Sequence, residues 1–111
     1  MAKNPEHRDL FPGALEVMIL QSLRLKPMHG YSLVKHIKQV SDDLLQVEEG
    51  SLYPALWRLE LDGAITAKSG LSENNRKAKF YHITRHGQKL LAEQEATWLR
   101  LSAAVSRVLA G

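Results

Sequence analysis

The chain has 111 residues, of which 44% are hydrophobic and 24% are charged, and its formal net charge is +3. This composition is typical of one globular domain, excludes a disordered or fibrous chain, and permits a polyanionic partner without requiring one. Because the sequence contains no cysteine, disulfide bridges and thiolate chemistry are excluded as well.

The sequence begins with a polar arm, which we place at residues 1–11. This arm lacks the apolar stretch of a secretory signal peptide. No run in the chain approaches the roughly 20 apolar residues that a membrane-spanning helix needs. We therefore expect a soluble protein of the cytoplasm.

Two helices are predicted after the arm. Pro12 and Gly13 open the first, residues 14–25, whose apolar residues occupy more than one helical face and so imply burial on several sides. The second helix follows Met28-His29-Gly30-Tyr31 and ends near Val40. We expect an inward face of Leu33, Val34, Ile37 and Val40 and an outward face of Lys35, Lys38 and Gln39.

A third, short helix is bracketed by its own start and stop signals between Val47 and Gly63. Ser51 is suited to cap its start by accepting a hydrogen bond from the Tyr53 amide, and Pro54 then falls in the first turn, where its missing N–H breaks no helical bond. Gly63 occupies the position of a left-handed C-cap. The face that must be buried carries Leu52, Ala55, Leu56 and Leu59, and the other face carries Ser51, Pro54, Trp57, Arg58 and Leu61.

Two short segments with alternating apolar residues predict a β-hairpin. They are residues 64–68 and residues 79–83, with Ile65 and Ala67 sharing one face of the first strand and Tyr81 and Ile83 sharing one face of the second. We expect the two strands to pair around a long basic tip, residues 69–77.

The last predicted helix is long for so small a domain. Thr84 is suited to cap it, and it runs to about Leu109, roughly 35 to 40 Å at 1.5 Å per residue. Apolar residues at spacings of three and four predict a seam that meets another helix lengthwise, and the first helix also demands cover, so we expect a homodimer rather than a monomer that folds the long helix back on itself. The expected interface residues are Leu15, Met18, Ile19, Leu91, Gln94, Trp98, Leu101, Val105 and Val108.

Three helices followed by a two-stranded hairpin is the element order of a winged helix-turn-helix. In that architecture the third helix enters the major groove and the hairpin, or wing, reaches the DNA backbone. The predicted fold class is therefore mainly α with a two-stranded β-hairpin. Residues 12–84 would form the winged helix-turn-helix DNA-binding domain and residues 85–111 a C-terminal dimerisation helix.

The chain resembles the PadR family of transcriptional regulators through five motifs in the same order and spacing over nearly its whole length. They are Leu10-Phe11-Pro12-Gly13-Ala14-Leu15, His29-Gly30-Tyr31, Gly50-Ser51-Leu52-Tyr53-Pro54-Ala55-Leu56, Leu59-Glu60-Leu61-Asp62-Gly63, and Phe80-Tyr81-His82-Ile83-Thr84 with Gly87. The wing sequence and the short C-terminal segment are similar to compact members that end in one dimerisation helix. The resemblance implies a dimeric repressor on a pseudo-palindromic operator, with DNA contacts at Ser51, Tyr53, Pro54 and Arg58 around the recognition helix and at Arg76 and Lys77 in the wing.

The charges divide the expected DNA contacts between elements. Between Ser51 and Asp62 the one cation is Arg58, so the third helix cannot supply the electrostatic affinity. Neutralisation of the DNA backbone is expected from Lys35, Lys38, Lys68, Arg76, Lys77 and Lys79, with Asn75 beside them in the wing and Arg24 and Lys26 as further candidates. The hydroxyl groups of Tyr31, Ser51 and Tyr53 are suited to phosphate oxygens.

Two interpretations of Arg58 are equally supported. It is the best candidate for a bidentate guanine contact, worth roughly 1 to 3 kcal/mol of discrimination, or it is an exposed charge paired with Asp62, four residues further on. Trp57 and Leu61 share the outer face of the same helix, where they would cover helix two, stack on a sugar or contact another subunit. A second functional hypothesis uses this apolar pair in a winged-helix protein–protein interaction module without direct DNA binding.

Trp98 lies on the expected dimer seam. In some PadR-like proteins a tryptophan on the dimer helix stacks planar drugs between subunits, so the resemblance implies a slot for a small planar aromatic effector that relieves repression. Simple packing in the interface is the interpretation that we favour. A third hypothesis, a ligand carrier without DNA function, rests on Trp98 alone.

No enzyme activity, cofactor or metal is expected. The histidine pairs at His29 and His36 and at His82 and His86 have no nearby acid or cysteine to complete a metal site. The sequence also contains no recognisable set of nucleophile, base and orienting residue, and no phosphate-binding glycine loop.

Overall fold

The computed structural model describes residues 13–111. The predicted arm at residues 1–11 and the first three residues of the first motif, Leu10 to Pro12, lie outside the described residues. The elements are α1 (Ala14–Leu25), α2 (Gly30–Val40), α3 (Glu49–Leu61), β1 (Ile65–Leu71), β2 (Lys77–Ile83) and α4 (Arg85–Ala110). This order confirms the predicted fold class, three helices and a wing followed by a long helix.

Helix α1 lies at the centre of one hydrophobic core. It contacts α2, α3, β2 and α4. The largest fully buried side chains come from all three of the first helices and from β1, and they are Ile19, Leu20, Leu33, Leu52, Leu56 and Ile65. The burial of α1 on several sides is therefore achieved within one chain, because the other elements of the same protomer cover it.

Helix α2 begins as the sequence predicts but exposes its last residue. Leu33 and Ile37 are buried, whereas Val40, predicted to face inward, is 71% exposed. The physical reason is the end of the helix, because α2 stops at Val40 and the following residues 42–46 are themselves exposed. Val40 thus lies on the expected face but beyond the part of the helix that the core covers.

Helix α3 begins three residues earlier than predicted. Its N-cap is Glu48, which makes no side-chain capping bond, so Ser51 lies in the first turn and does not cap the helix. Pro54 consequently lies inside the helix, where its missing N–H leaves the Gly50 carbonyl without the usual helical donor. The predicted start was wrong because a helix without a side-chain cap leaves no signal in the sequence.

The end of α3 confirms the predicted left-handed cap. Gly63 has a φ of 78°, a conformation that glycine adopts at no steric cost. The Gly63 amide donates to the Glu60 carbonyl at 3.0 Å, and the Ala64 amide donates to the Leu59 carbonyl at 2.9 Å. These two bonds form a Schellman motif, which ends the helix and directs the chain into β1.

The wing is a longer ladder with a shorter tip than predicted. Strand β1 pairs antiparallel with β2 from Ile65 opposite Ile83 to Leu71 opposite Lys77, so only residues 72–76 form the tip. The Ser72 amide donates to the Arg76 carbonyl at 2.8 Å, and a φ of 61° at Asn75 turns the chain between them. Asparagine tolerates this left-handed conformation better than most residues, which permits the tight connection.

Thr84 links the end of α3 to the start of α4. Its side-chain oxygen accepts a hydrogen bond from the Gly87 amide at 3.0 Å, which confirms the predicted cap. The same hydroxyl lies 2.7 Å from the Gly63 carbonyl, to which it donates. The end of α3 and the start of α4 are therefore held by one side chain.

Helix α4 leaves the core soon after it starts. Its buried residues are Gly87 and Leu91, and its C-terminal half exposes several apolar side chains, namely Leu99, Leu101, Val105, Val108 and Leu109. With 26 residues it is about 39 Å long at 1.5 Å per residue. Within residues 13–111, no helix combines the length and the apolar character needed to cross a membrane.

Candidate nucleic-acid interface

The outer face of α3 is open to solvent. Leu52, Ala55, Leu56 and Leu59 turn into the core, as predicted. On the opposite side Trp57 is 63% exposed and Leu61 is 68% exposed. The helix thus has one solvent-exposed face, which carries the large apolar side chains of Trp57 and Leu61.

Arg58 is paired, but with a different acid from the one predicted. Its Nε and Nη2 both donate to Oε2 of Glu16 in the first turn of α1, at 3.1 Å and 2.8 Å. The predicted partner, Asp62, instead lies with Oδ2 3.2 Å from Nε2 of His86 in α4. The Glu16 pair holds the guanidinium at the flank of α3 beside α1, away from the centre of the outer face.

Tyr53 occupies the other flank of α3, against α2. A Cβ atom added at Gly30 would overlap the Tyr53 hydroxyl and lie 3.2 Å from Cε1 of its ring. The ring therefore packs on bare backbone at the start of α2, while the residue as a whole remains 46% exposed. Two motifs that are far apart in the sequence, His29-Gly30-Tyr31 and Gly50 to Leu56, are joined by this contact.

His29 fixes the start of α2 against the wing. Its Nδ1 accepts a hydrogen bond from the Ser32 amide at 3.2 Å, which caps α2. Its ring meets the Phe80 ring of β2 edge-on, with 5.2 Å between the ring centroids. Met28 adds a bridge to the same strand, since the Tyr81 amide donates to the Met28 carbonyl at 2.9 Å. The first turn of α2 and the wing consequently form one surface.

A basic groove lies between α2 and the wing, with a volume of about 620 Å³. Three cations from three parts of the chain line it: Lys26, Lys35 and Arg76. Exposed Tyr31 lies in the same wall, and Nζ of Lys35 is 5.4 Å from the centroid of its ring. We call this feature the α2–wing groove.

A second, smaller groove of about 290 Å³ separates α2 from the start of α3. Tyr31 lines both grooves, so the exposed surface continues from the wing across α2 to Tyr53. The second groove also carries Glu48 and Glu49, which repel phosphate groups. A polyanion is therefore attracted to the surface on the wing side of Tyr31, where the cations lie.

The wing carries its cations on both faces. Lys77 and Lys79 share the strand face of Tyr81 because alternate residues of a strand point the same way, and Nζ of Lys79 lies 6.0 Å from the centroid of the Tyr81 ring. Lys68 pairs with Phe80 and so shares the opposite face. Of the predicted wing cations, Arg76 is the one that lines the α2–wing groove.

Burial raises the pKa of the Tyr81 phenol above its ordinary value of 10.0, and the nearby Glu60 charge and Tyr53 add to the rise. The group remains a neutral phenol in the core. It therefore contributes packing beneath the wing rather than charge.

Two predicted interface residues belong to the core of the protomer. Ile19 is 0% exposed and Leu91 is 5% exposed, so their side chains offer no surface to a partner. A periodic apolar seam looks the same whether it is covered by the same chain or by another, which is the reason for the error. The remaining predicted residues are half-buried or exposed, and they are Leu15, Met18, Gln94, Trp98, Leu101, Val105 and Val108.

Sequence reasoning missed several residues that shape this surface. Glu16 lies 42 residues from Arg58, and no local pattern predicts their pairing. His29 and Phe80 were recognised as motif residues without a role, although the cap and the ring contact explain both. Lys26 was only a further candidate, and its place in the α2–wing groove depends on how the chain turns between α1 and α2.

Three helices and a wing, with an exposed face on the third helix and a basic groove between the second helix and the wing, define a winged helix-turn-helix of the DNA-binding class. The sequence profile of the Transcriptional regulator PadR-like family matches residues 19–93. The chain belongs to this family, which confirms the resemblance.

Two solved structures of transcriptional regulators are similar to this chain over nearly its full length. A transcriptional regulator from Clostridium thermocellum has a TM-score of 0.81 and 28% sequence identity, covering 90% of this chain and 97% of that one. A PadR-like transcriptional regulator from Bacillus cereus has a TM-score of 0.76 and 31% identity, covering 94% and 99%. An uncharacterized protein of Lysinibacillus sphaericus is 28% identical over 103 residues, which cover 93% of this chain and 94% of that protein.

Proposed function

We propose that the protein is a homodimeric transcriptional repressor that binds a pseudo-palindromic operator in the cytoplasm. The observation that carries this proposal is the exposed outer face of α3 together with the basic α2–wing groove, since the exposed surface continues from that groove across Tyr31 to Tyr53 of α3. A helix of this kind fits the major groove, and a wing beside it reaches the adjoining backbone. Membership of a family of transcriptional regulators supports the same conclusion.

The proposed phosphate contacts centre on the α2–wing groove. Lys26, Lys35 and Arg76 converge there, and cations that neutralise phosphates supply affinity without sequence preference. The other proposed DNA contacts lie on α2, α3 and the wing, and they are exposed apart from half-buried Lys38. They are Tyr31, Lys38, Ser51, Tyr53, Pro54, Asn75, Lys77 and Lys79.

For Arg58 we propose a positioning role in place of the guanine contact. Its bonds to Glu16 join α3 to α1, and a bidentate contact with guanine would require both to break. In this role Arg58 helps to hold α3 against α1. The guanine contact remains the alternative that a binding experiment distinguishes.

We further propose that residues 12–84 are the DNA-binding domain and residues 85–111 the dimerisation helix. The apolar side chains on the C-terminal half of α4 are uncovered in a single protomer, and a second copy would cover them. Oε1 of Gln94 is buried without a hydrogen-bond partner within residues 13–111, and a partner subunit could supply the donor. Sedimentation that shows a folded monomer at micromolar concentration would reject the dimer.

Regulation by a small planar aromatic effector is proposed at paired Trp98 side chains. Half-buried Trp98 lies on the part of α4 that leaves the core. An effector held between two α4 helices would change the separation of the two α3 helices and thus their fit to the half-sites. The expected result of effector binding is release of the operator.

The test of DNA binding is a mobility-shift titration with the full chain at several salt concentrations, on a duplex selected from a random-sequence pool. Arg76→Ala should weaken binding on every sequence and reduce the slope of log K against log salt by roughly 0.9 for each phosphate that is no longer neutralised. Arg107→Ala is the matched control because it removes the same charge from the last turn of α4. Equal slopes for the two variants would remove Arg76 from the interface.

A second function is favoured by the exposed pair Trp57 and Leu61 together with Glu48 and Glu49 at the start of α3. These residues would suit a winged-helix module that binds another protein. Absence of DNA binding even at low salt would support that function over the repressor.

A further inference from the structure

The outer face of α3 carries a continuous apolar strip. Gly50, Pro54, Trp57 and Leu61 follow one another at spacings of four, three and four residues, which places them in one row along the helix. All four are exposed. In this row, which we call the apolar strip, the indole N–H of Trp57 is the one side-chain hydrogen-bonding group.

Three polar side chains beside this strip are held by packing or by hydrogen bonds, whereas Ser51 near the start of α3 is exposed. Arg58 donates to Glu16 of α1, and Tyr53 packs on the backbone of Gly30 at the start of α2. Glu60 is half-buried. The centre of the outer face therefore offers base edges mainly apolar surface, although this is the face that a winged helix-turn-helix presents to the major groove.

The base edges in the major groove include one apolar group, the 5-methyl group of thymine. We propose that the apolar strip recognises thymine methyl groups, with Trp57 as the central contact, so that thymine-containing half-sites are preferred. This inference rests on the proposed DNA-binding function. The three cations of the α2–wing groove, whose exposed surface continues across Tyr31 to Tyr53 of α3, favour DNA over a protein as the partner of the strip, because they attract phosphates.

The experiment replaces thymine by deoxyuracil, which removes the methyl group and leaves the base pair intact. A duplex that the wild-type protein selects from a random-sequence pool is prepared with thymine and with deoxyuracil in both half-sites. Binding of each is measured by fluorescence anisotropy. We expect about a fourfold loss of affinity for each methyl group removed, hence roughly 15-fold for a symmetric site with one such group per half-site, from the transfer free energy of a methyl-sized group.

The variant Trp57→Ala tests whether the apolar strip causes the loss of affinity on removal of the methyl group. This variant should bind the thymine and deoxyuracil duplexes equally, whereas Leu25→Ala, which removes an exposed leucine at the end of α1, should keep the wild-type ratio. Tight binding by the wild-type protein with equal affinity for the two duplexes would overturn the inference and leave the proposed function intact. Failure to bind any duplex at low salt would overturn both, and a wild-type ratio retained in Trp57→Ala would remove Trp57 from recognition.

Discussion

Gly87→Ala tests whether the junction between the wing and α4 is as tight as the geometry indicates. A Cβ atom at this position would overlap the Ala64 carbonyl oxygen and lie 2.7 Å from Cγ1 of Ile83. The Ala64 oxygen cannot retreat easily, because it is backbone and accepts a hydrogen bond from the Thr84 amide at 3.0 Å. The substitution therefore forces β1 and α4 apart.

Two opposing effects set the size of the change. Alanine in a helix is favoured over glycine by about 1 kcal/mol at most, whereas overpacking a tight site costs about 1 to 3 kcal/mol. Since the contact at Gly87 is with backbone, we expect the overpacking to dominate and the free energy of unfolding to fall by about 1 to 2 kcal/mol. The corresponding fall in Tm is about 4 to 16 °C for a domain of this size.

The assay is thermal unfolding followed by circular dichroism at one fixed protein concentration, because the proposed dimerisation would make Tm depend on concentration. Gly50→Ala is the matched control. Gly50 is also helical, but a Cβ atom there meets no heavy atom within 4 Å among the described residues, so Tm should stay level or rise. If Gly87→Ala were as stable as Gly50→Ala, the reasoning from the Ala64 contact would be refuted.

Arg58→Ala should weaken binding to the operator and to random DNA by the same factor, and its coupling with Glu16→Ala in a double-mutant cycle of unfolding should stay below about 1 kcal/mol for so exposed a pair. A greater loss on the operator would restore the guanine contact. Because burial raises the pKa of Tyr81, the free energy of unfolding should keep its full Tyr81 contribution below about pH 10 and fall as the pH rises toward the folded-state pKa. Urea titrations at a series of pH values measure this fall, which Tyr81→Phe should reduce. Quenching of tryptophan fluorescence by planar aromatic compounds should disappear in Trp98→Phe and persist in Trp57→Phe; no quenching across a broad panel would indicate plain packing.

Local signals predicted much of the fold. The bounds of α1, the cap at Thr84 and the left-handed end of α3 at Gly63 were correct, since each depends on residues within one turn of the feature. The start of α3 was wrong because Glu48 provides no side-chain cap. Features that depend on residues distant in sequence, such as the bonds between Arg58 and Glu16, leave no local pattern.

The sequence predicted which residues belong to the candidate site but not how they are placed relative to one another. Charge and motif identified Lys35 and Arg76, but their meeting in the α2–wing groove depends on the contact of His29 with Phe80. Ile19 and Leu91 were placed in the dimer interface because apolar periodicity does not say which chain covers a helix. The exposure of each side chain in the folded protomer shows whether its own chain already covers it or whether it remains open to a partner.

The hydrogen bonds of Thr84 couple the orientation of α4 to that of α3 in the proposed dimer. Because one hydroxyl bonds to Gly63 at the end of α3 and to Gly87 at the start of α4, we expect a rotation of α4 to carry α3 with it. A tilt of about 5° along a helix of about 39 Å moves its far end by roughly 3 Å, close to the rise of about 3.4 Å between neighbouring base pairs. A small rotation at the two-fold axis would therefore shift each recognition helix by nearly one step along the operator.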